Sequence, residues 1–208
     1  MMVELGRMKR QTIEELCKEN NEVLVRGAVD GTIGRVWVPQ LGNSSYCLIV
    51  VGDFAYLMGL PPKGERALDL KTQIYQSAPR AYIYPQNGRW EDWLEEEFMG
   101  QTRLVSRYAL RKDEHHFDSG LLKQYIESVP KGIRIKRIDD RLYHQALKEE
   151  WSRDLCANFE DEKHFQEKGF GYVALKGREL VAGCSAYGAS EGMMEIEVDT
   201  RKDFRRQG

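Results

Sequence analysis

Residues 193–208 read MMEIEVDTRKDFRRQG, and this stretch determines the fold that we predict for the chain. Its first part, Met193 to Thr200, carries acidic side chains at alternate positions, which is typical of a β-strand. A short loop follows, and the stretch ends in Arg205, Arg206, Gln207 and Gly208. Basic residues and a glycine after a strand suit an anion such as a phosphate, because a helix beginning there would offer free N–H groups.

The residues before this stretch predict a strand, two helices and two further strands. Ile133, Ile135 and Ile138 lie on a strand whose opposite side is basic, and Asp139 or Asp140 then caps one long helix that reaches Leu155. A second helix is predicted over about 161–168. The next two strands are predicted over 170–176 and 180–187.

This order of elements resembles the first half of the GNAT acetyltransferase fold. The spacing of Val198, Thr200, Phe204, Arg205 and Gly208 is similar to the acyl-CoA-binding signature of that superfamily, and the signature stops at Gly208. The resemblance covers residues 133–208. It implies an α/β (α+β) fold with a mixed, mostly antiparallel sheet and flanking helices.

We place a domain boundary at Ser128–Gly132, where Pro130 and Gly132 lie between a helix and a strand. Residues 1–131 are then an N-terminal α/β region of unassigned role. Residues 132–208 are a GNAT-like acetyltransferase domain that is incomplete at its C-terminus.

The resemblance implies an N-acetyltransferase that moves an acetyl group from acetyl-CoA to the amine of a small molecule. In the family, the strand that matches Met193–Thr200 lies beside the pantetheine arm, which assigns that role to Ile196, Glu197 and Val198. The loop after the strand surrounds the pyrophosphate with backbone N–H groups. This loop corresponds to Arg205, Arg206, Gln207 and Gly208.

Acetyl transfer requires the amine to lose a proton, so a base is expected on or near the same strand. Glu195, Glu197 and Asp199 share one face of it by alternation, and Glu195 and Glu197 are the candidates for this catalytic role. The alternative is that this acidic face is only solvated, or paired with the basic loop. No residue is assigned as the acid that protonates the leaving thiolate.

Two other classes of function stay open: a non-catalytic binding or assembly module that keeps the fold, and a regulatory acyl-CoA sensor. The strand that the family places beside Met193–Thr200 is missing, which predicts an open sheet edge. We therefore expect either a fragment or a homo-oligomer joined through this edge. The half-formed loop also predicts weak acetyl-CoA binding and negligible acetyltransferase activity.

The N-terminal region carries two hairpin signals and several helical patterns. Asp30-Gly31 separates the β-rich runs EVLVRGAV and TIGRVWVP, and Gly52-Asp53 separates SSYCLIVV from FAYLMG. Residues 65–77 have a weak helical pattern. Trp90, Trp93 and Phe98 form an apolar stripe at helical spacing that predicts core packing rather than ligand stacking. Asp118 is expected to cap a helix carrying Leu121, Leu122, Tyr125 and Ile126 on one side.

The amino-acid composition limits the kinds of partner that we predict for the protein. With 31 basic and 33 acidic residues the net charge is −2, so bulk charge predicts neither a nucleic-acid nor a membrane partner. No apolar run reaches the ~20 residues that span a bilayer, and the N-terminus lacks a signal-peptide core. The isolated cysteines, Cys17, Cys47, Cys156 and Cys184, predict free buried thiols in a reducing compartment, and we expect a cytoplasmic protein.

Two further side-chain groups are interpreted as structural. Adjacent His115 and His116 point apart on an extended chain and lack a second ligand pair, so a polar turn is favoured and no metal site is predicted. A strand predicted over residues 103–111 carries Arg103, Arg107 and Arg111 on one face. A solvated face is favoured over an anion site.

Overall fold

Two β-sheets with helices packed against them make up the protein in a computed structural model, which describes residues 1–106, 108 and 117–206. The predicted class, α/β (α+β) with mostly antiparallel sheets and flanking helices, is confirmed. Arg103 is exposed and lies in no regular element. Arg107, Arg111, His115 and His116 lie outside the described residues.

The N-terminal sheet has five strands in chain order, with β1 to β4 antiparallel and β5 parallel to β4. All residues of the central strand β3 are buried. Val51 pairs with Phe54 across Gly52 and Asp53, which confirms the second predicted hairpin. The strands are β1 (Val3–Glu4), β2 (Arg35–Val38), β3 (Tyr46–Val51), β4 (Phe54–Gly59) and β5 (Tyr82–Pro85).

Five α-helices accompany this sheet and the segment after it, and a 3₁₀ helix (Arg7–Ile13) precedes the first. The stripe of Trp90, Trp93 and Phe98 is buried in the core, as predicted. Asp118 caps α5 by accepting the backbone N–H of Gly120 and Leu121, although the apolar side of that helix is exposed. The helices are α1 (Glu14–Cys17), α2 (Val23–Val29), α3 (Glu65–Ser77), α4 (Gly88–Phe98) and α5 (Ser119–Glu127).

The first predicted hairpin is wrong, because its first strand is helix α2. The run VLVRGAV is rich in β-branched residues, which favours a strand when propensity is considered alone. Every residue of α2 except Arg26 is buried, and the helix packs against the C-terminal sheet. This packing outweighs the weak local preference. Gly31, with a φ of 81°, turns the chain after the helix.

The C-terminal sheet is antiparallel, with its strands in chain order and β9 at one end of the described sheet. The predicted strand Met193–Thr200 is confirmed at both ends. Strand β8 extends to Ser190, beyond the predicted end at Tyr187, and its register shifts at a bulge around Tyr187. The strands are β6 (Ile133–Arg137), β7 (Gly171–Lys176), β8 (Glu179–Ser190) and β9 (Met193–Thr200).

The helical connection between β6 and β7 differs from the prediction at one point. Asp139 caps α6 (Asp140–Ala146) by accepting the N–H of Leu142 at 2.8 Å, as expected. The single long helix to Leu155 is wrong: α6 ends, and a 3₁₀ helix (Glu150–Leu155) follows. The buried Ser152 hydroxyl donates to the Ala146 carbonyl at 2.7 Å. If the helix continued, a backbone N–H would donate to this carbonyl instead. Helix α7 (Glu162–Lys168) then follows.

The main hydrophobic cluster contains residues from both sides of the predicted boundary at 132, including Leu24, Ile33 and Ala189. A second cluster lies within the N-terminal region around Trp90 and Trp93. The division into two domains stays a prediction. None of the helices described here has the length and apolar character that crossing a membrane would require.

Candidate functional site

One face of strand β9 lies against the 3₁₀ helix at 150–155. Ser185 on β8 donates its hydroxyl hydrogen to the Leu155 carbonyl at 2.6 Å. A Cβ atom added to Gly183 would lie 2.4 Å from Leu155 Cδ1. Ser185 pairs with Glu197 and Gly183 pairs with Asp199, so these two carboxylates share the face that meets the 3₁₀ helix.

The opposite face of β9 is exposed in the part of the chain that the structure describes. Ile196 and Val198 are 63% and 66% exposed. Val198 pairs with Cys184, which is also exposed, so the prediction of a buried thiol there is wrong. Cys184 lies on the side of the sheet away from the 3₁₀ helix. The other three cysteines are buried, as predicted.

The structure separates the two candidates for the base. Glu195 pairs with Gly188 and is exposed. Glu197 is partly buried, and this burial raises the pKa of its carboxyl above the ordinary value of 4.5, with smaller contributions from Asp154 and Asp199. A carboxylate with a raised pKa is a stronger proton acceptor, which distinguishes Glu197 from the exposed Glu195.

Two further carboxylates act on Glu197 by their charge from outside its own strand. Asp154 lies on the 3₁₀ helix, and burial raises its pKa, followed by the charge of Asp53. Asp53 lies in the turn between β3 and β4 and also acts on Glu197. Sequence reasoning missed Asp53 and Asp154, because no local pattern connects them to β9.

The basic loop after β9 folds back on the strand. Arg205 donates through Nε to the Thr200 carbonyl at 2.8 Å and through Nη2 to Asp199 Oδ1 at 3.2 Å. Arg206 is exposed, with a φ of 59°. The interpretation that the acidic face pairs with the basic loop therefore holds for Asp199. Gln207 and Gly208, predicted to bind the pyrophosphate, lie outside the described residues.

Within the described sheet, β9 pairs with β8 on one side. The exposed Arg206 adds positive charge in the loop after the strand. In the described ranges 1–106, 108 and 117–206, no cluster of His, Cys, Asp and Glu suits a metal ion.

Comparison with known proteins extends the resemblance into the N-terminal region. Residues 14–208 match the family described as GNAT acetyltransferase. A crystal structure of a GCN5-related N-acetyltransferase-like protein from Streptococcus suis 89/1591 is 32% identical with a TM-score of 0.80, over 97% of this chain and 80% of that one. A protein described as uncharacterized N-acetyltransferase YdfB, from Bacillus subtilis strain 168, is 22% identical over 139 residues, which are 64% of this chain and 48% of YdfB.

The chain thus matches about half the length of this curated relative, and most of the length of the solved one. The family match includes strands β2 to β5 and helices α1 to α5, which precede residue 132, where the sequence alone offered no clear resemblance. Together with the element order of residues 133–208, these findings show that the chain belongs to the GNAT acetyltransferase family.

Proposed function

We propose that the protein transfers an acetyl group from acetyl-CoA to the amine of a small molecule, and that this amine arrives as a cation. Family membership supports the reaction class. The charges of Asp53 and Asp154, which both act on Glu197, support the charge of the acceptor, because negative charge around the base attracts a protonated amine and disfavours an anionic one.

The acyl donor is proposed to lie along β9. Ile196, Glu197 and Val198 would meet the pantetheine arm through their backbone, and the residues from Arg205 to Gly208 would hold the pyrophosphate. Bound there, acetyl-CoA would supply the acetyl group as a thioester whose carbonyl the neutral amine attacks. The C–N bond would form as the C–S bond breaks, and coenzyme A would leave as a thiolate that takes up the second amine proton. Backbone N–H groups of β9 are the donors available to polarise the thioester carbonyl.

Glu197 is proposed as the general base, and its placement is the observation that carries the proposal. The carboxylate accepts one proton from the ammonium group, which frees the nitrogen lone pair for attack. The raised pKa of Glu197 brings its basicity closer to that of the amine, so proton transfer costs less than it would to an exposed carboxylate. The exposed Glu195 on the same strand lacks this environment.

The test uses the full-length protein, acetyl-CoA and a panel of amines. Calorimetry measures acetyl-CoA affinity, and a free-thiol assay then measures turnover with a diamine, a monoamine and an amino acid of net negative charge. We expect thiol release to be fastest with the diamine and slowest with the anion. Binding of acetyl-CoA without thiol release from any amine would instead indicate a non-catalytic module.

Glu195→Gln is the matched control for Glu197→Gln, because both remove one carboxylate from the same strand. We expect Glu197→Gln to lower turnover by about 100- to 10,000-fold and leave acetyl-CoA affinity unchanged. We expect Glu195→Gln to stay within a few-fold of the wild type. Equal turnover in the two variants would remove Glu197 from the mechanism.

A further inference from the structure

The loop after β9 is held by a network of side chains that centres on Arg201. A short 3₁₀ helix (Lys202–Phe204) begins the loop, and the Phe204 N–H donates to the Arg201 carbonyl at 2.8 Å. The Arg201 guanidinium binds Asp203 through two bonds: Nε donates to Oδ1 at 2.8 Å, and Nη2 donates to Oδ2 at 3.1 Å. Such a bidentate pair fixes both the distance and the orientation of its two side chains. The start of the loop is therefore closed by side chains as well as by its backbone.

The same arginine connects this loop to the neighbouring strands. Its Nη1 donates to Glu179 Oε2 at 3.2 Å, and its backbone N–H donates to the Val181 carbonyl at 2.9 Å, so β8 holds it at two points. The Arg201 guanidinium also lies over the Phe204 ring, with Cζ 4.7 Å from the ring centroid. Lys176, the last residue of β7, places its Nζ 5.1 Å from the same centroid. The loop is thus attached to both β7 and β8.

These contacts make Arg201 poorly suited to bind a phosphate by itself. Two carboxylates, Glu179 and Asp203, already accept its N–H groups, and their charges offset its own. Arg205 is engaged in a similar way, because its Nη2 donates to Asp199 at 3.2 Å. Both arginines therefore shape the loop more than they supply free positive charge to it.

We propose that Arg201 is a positioning residue of the donor site, which presets the loop after β9 in the shape that receives the pyrophosphate of acetyl-CoA. The proposal rests on the proposed binding of this donor along β9. A loop binds an anion well through its backbone N–H groups only if they are already ordered, because ordering a mobile loop during binding lowers the affinity. Arg201 supplies this order through Asp203, Glu179 and Phe204, without touching the donor.

The test compares two acyl donors bound to the full-length protein, and it requires no acceptor amine. Acetyl-CoA carries the pyrophosphate, whereas acetylpantetheine lacks it and keeps the thioester and the pantetheine arm. Calorimetry measures the affinity for acetyl-CoA, and ligand-observed NMR measures that for acetylpantetheine. We expect Arg201→Gln to weaken acetyl-CoA binding about tenfold, because an exposed ion-pair network and a cation–π contact are lost together. The affinity for acetylpantetheine should not change.

Lys202→Gln is the matched control, because it removes one positive charge from an exposed residue of the same loop. We expect its affinity for acetyl-CoA to stay within about twofold of the wild type, since an exposed charge is largely screened by salt. An equal loss in Lys202→Gln and Arg201→Gln would assign the effect to charge and would overturn the proposal.

Asp203→Ala separates positioning from charge, because the two accounts predict opposite results. If charge alone matters, removing a carboxylate from the loop should strengthen the binding of an anionic donor. If Asp203 holds Arg201 in place, the same change should weaken acetyl-CoA binding by about threefold. Tighter or unchanged binding in a folded Asp203→Ala would therefore contradict the positioning role.

The outcomes also separate this proposal from the proposed function. If the wild type binds acetyl-CoA and Arg201→Gln binds it equally well, the role of Arg201 fails and the proposed function stands. If the variants lose affinity as expected but the wild type releases no thiol with any amine, acetyl transfer fails and the role of Arg201 stands. A wild type that binds no acetyl-CoA would overturn both.

Discussion

Gly27 lies where helix α2 crosses strand β8, and replacing it with alanine tests the packing between the two regions of the chain. A Cβ atom at position 27 would lie 2.4 Å from the carbonyl oxygen of Ala189 and 2.8 Å from Ile33 Cγ1. The oxygen belongs to the backbone of β8 and cannot rotate away. Helix α2 must therefore move from the sheet to admit the methyl group.

The expected magnitude is the difference of two effects. Alanine is favoured over glycine in a helix by about 1 kcal/mol. Overpacking of a dense interior costs about 1–3 kcal/mol, and the upper end applies here because backbone forms one side of the contact. The free energy of unfolding of Gly27→Ala should therefore fall by about 2 kcal/mol. For a chain of this length, such a loss lowers the melting temperature by about 4–8 °C.

Urea denaturation followed by circular dichroism measures this free energy, and Gly88→Ala is the control. Gly88 begins helix α4 and has no other atom within 4 Å of an added Cβ. We expect this control to be unchanged or to be more stable by less than about 1 kcal/mol. A Gly27→Ala protein as stable as the wild type would refute the close approach of α2 to β8.

The buried guanidinium of Arg10 donates to the carbonyls of Ile33 and Gly34, each at 2.8 Å. Arg10→Met should lower the free energy of unfolding by about 3 kcal/mol, because it leaves both carbonyls without this donor. The control Arg35→Met breaks an exposed ion pair with Glu4 and should lower the free energy of unfolding by less than about 1 kcal/mol. If chemical denaturation shows that the two variants lose the same free energy of unfolding, this account is wrong. For acetyl transfer, kcat/KM should fall as the pH drops through the raised pKa of Glu197, since a protonated carboxyl cannot accept a proton. This acidic limb should be absent from the profile of Glu197→Gln, and its persistence there would assign the limb to another group.

Local signals predicted much of the fold. The Gly52-Asp53 turn and the aspartate caps at Asp118 and Asp139 each act within a few residues, and each lies where the pattern indicated. Strand β9 was also predicted at both ends, since alternation along a strand is a property of consecutive residues.

The errors arose where distant parts of the chain decide the outcome. Helix α2 has the composition of a strand and becomes helical in a site where nearly all of it is buried against β8. Prediction of the candidate site from the sequence was limited in the same way. The sequence indicated Glu195 and Glu197 as equivalent by alternation, whereas the partial burial of Glu197 distinguishes them. No periodicity on β9 contains that information.

The contact between Gly52 and Tyr187 also limits how the family can diverge. Any side chain at 52 would collide with the tyrosine hydroxyl, so a larger residue becomes tolerable only after that hydroxyl is lost. Loss of the hydroxyl in turn removes the acceptor for the Asp53 amide. The two positions therefore constrain each other's substitutions during evolution, and a lineage that changes one is expected to pass through a variant whose turn between β3 and β4 has lost its hydrogen bond to Tyr187 of β8.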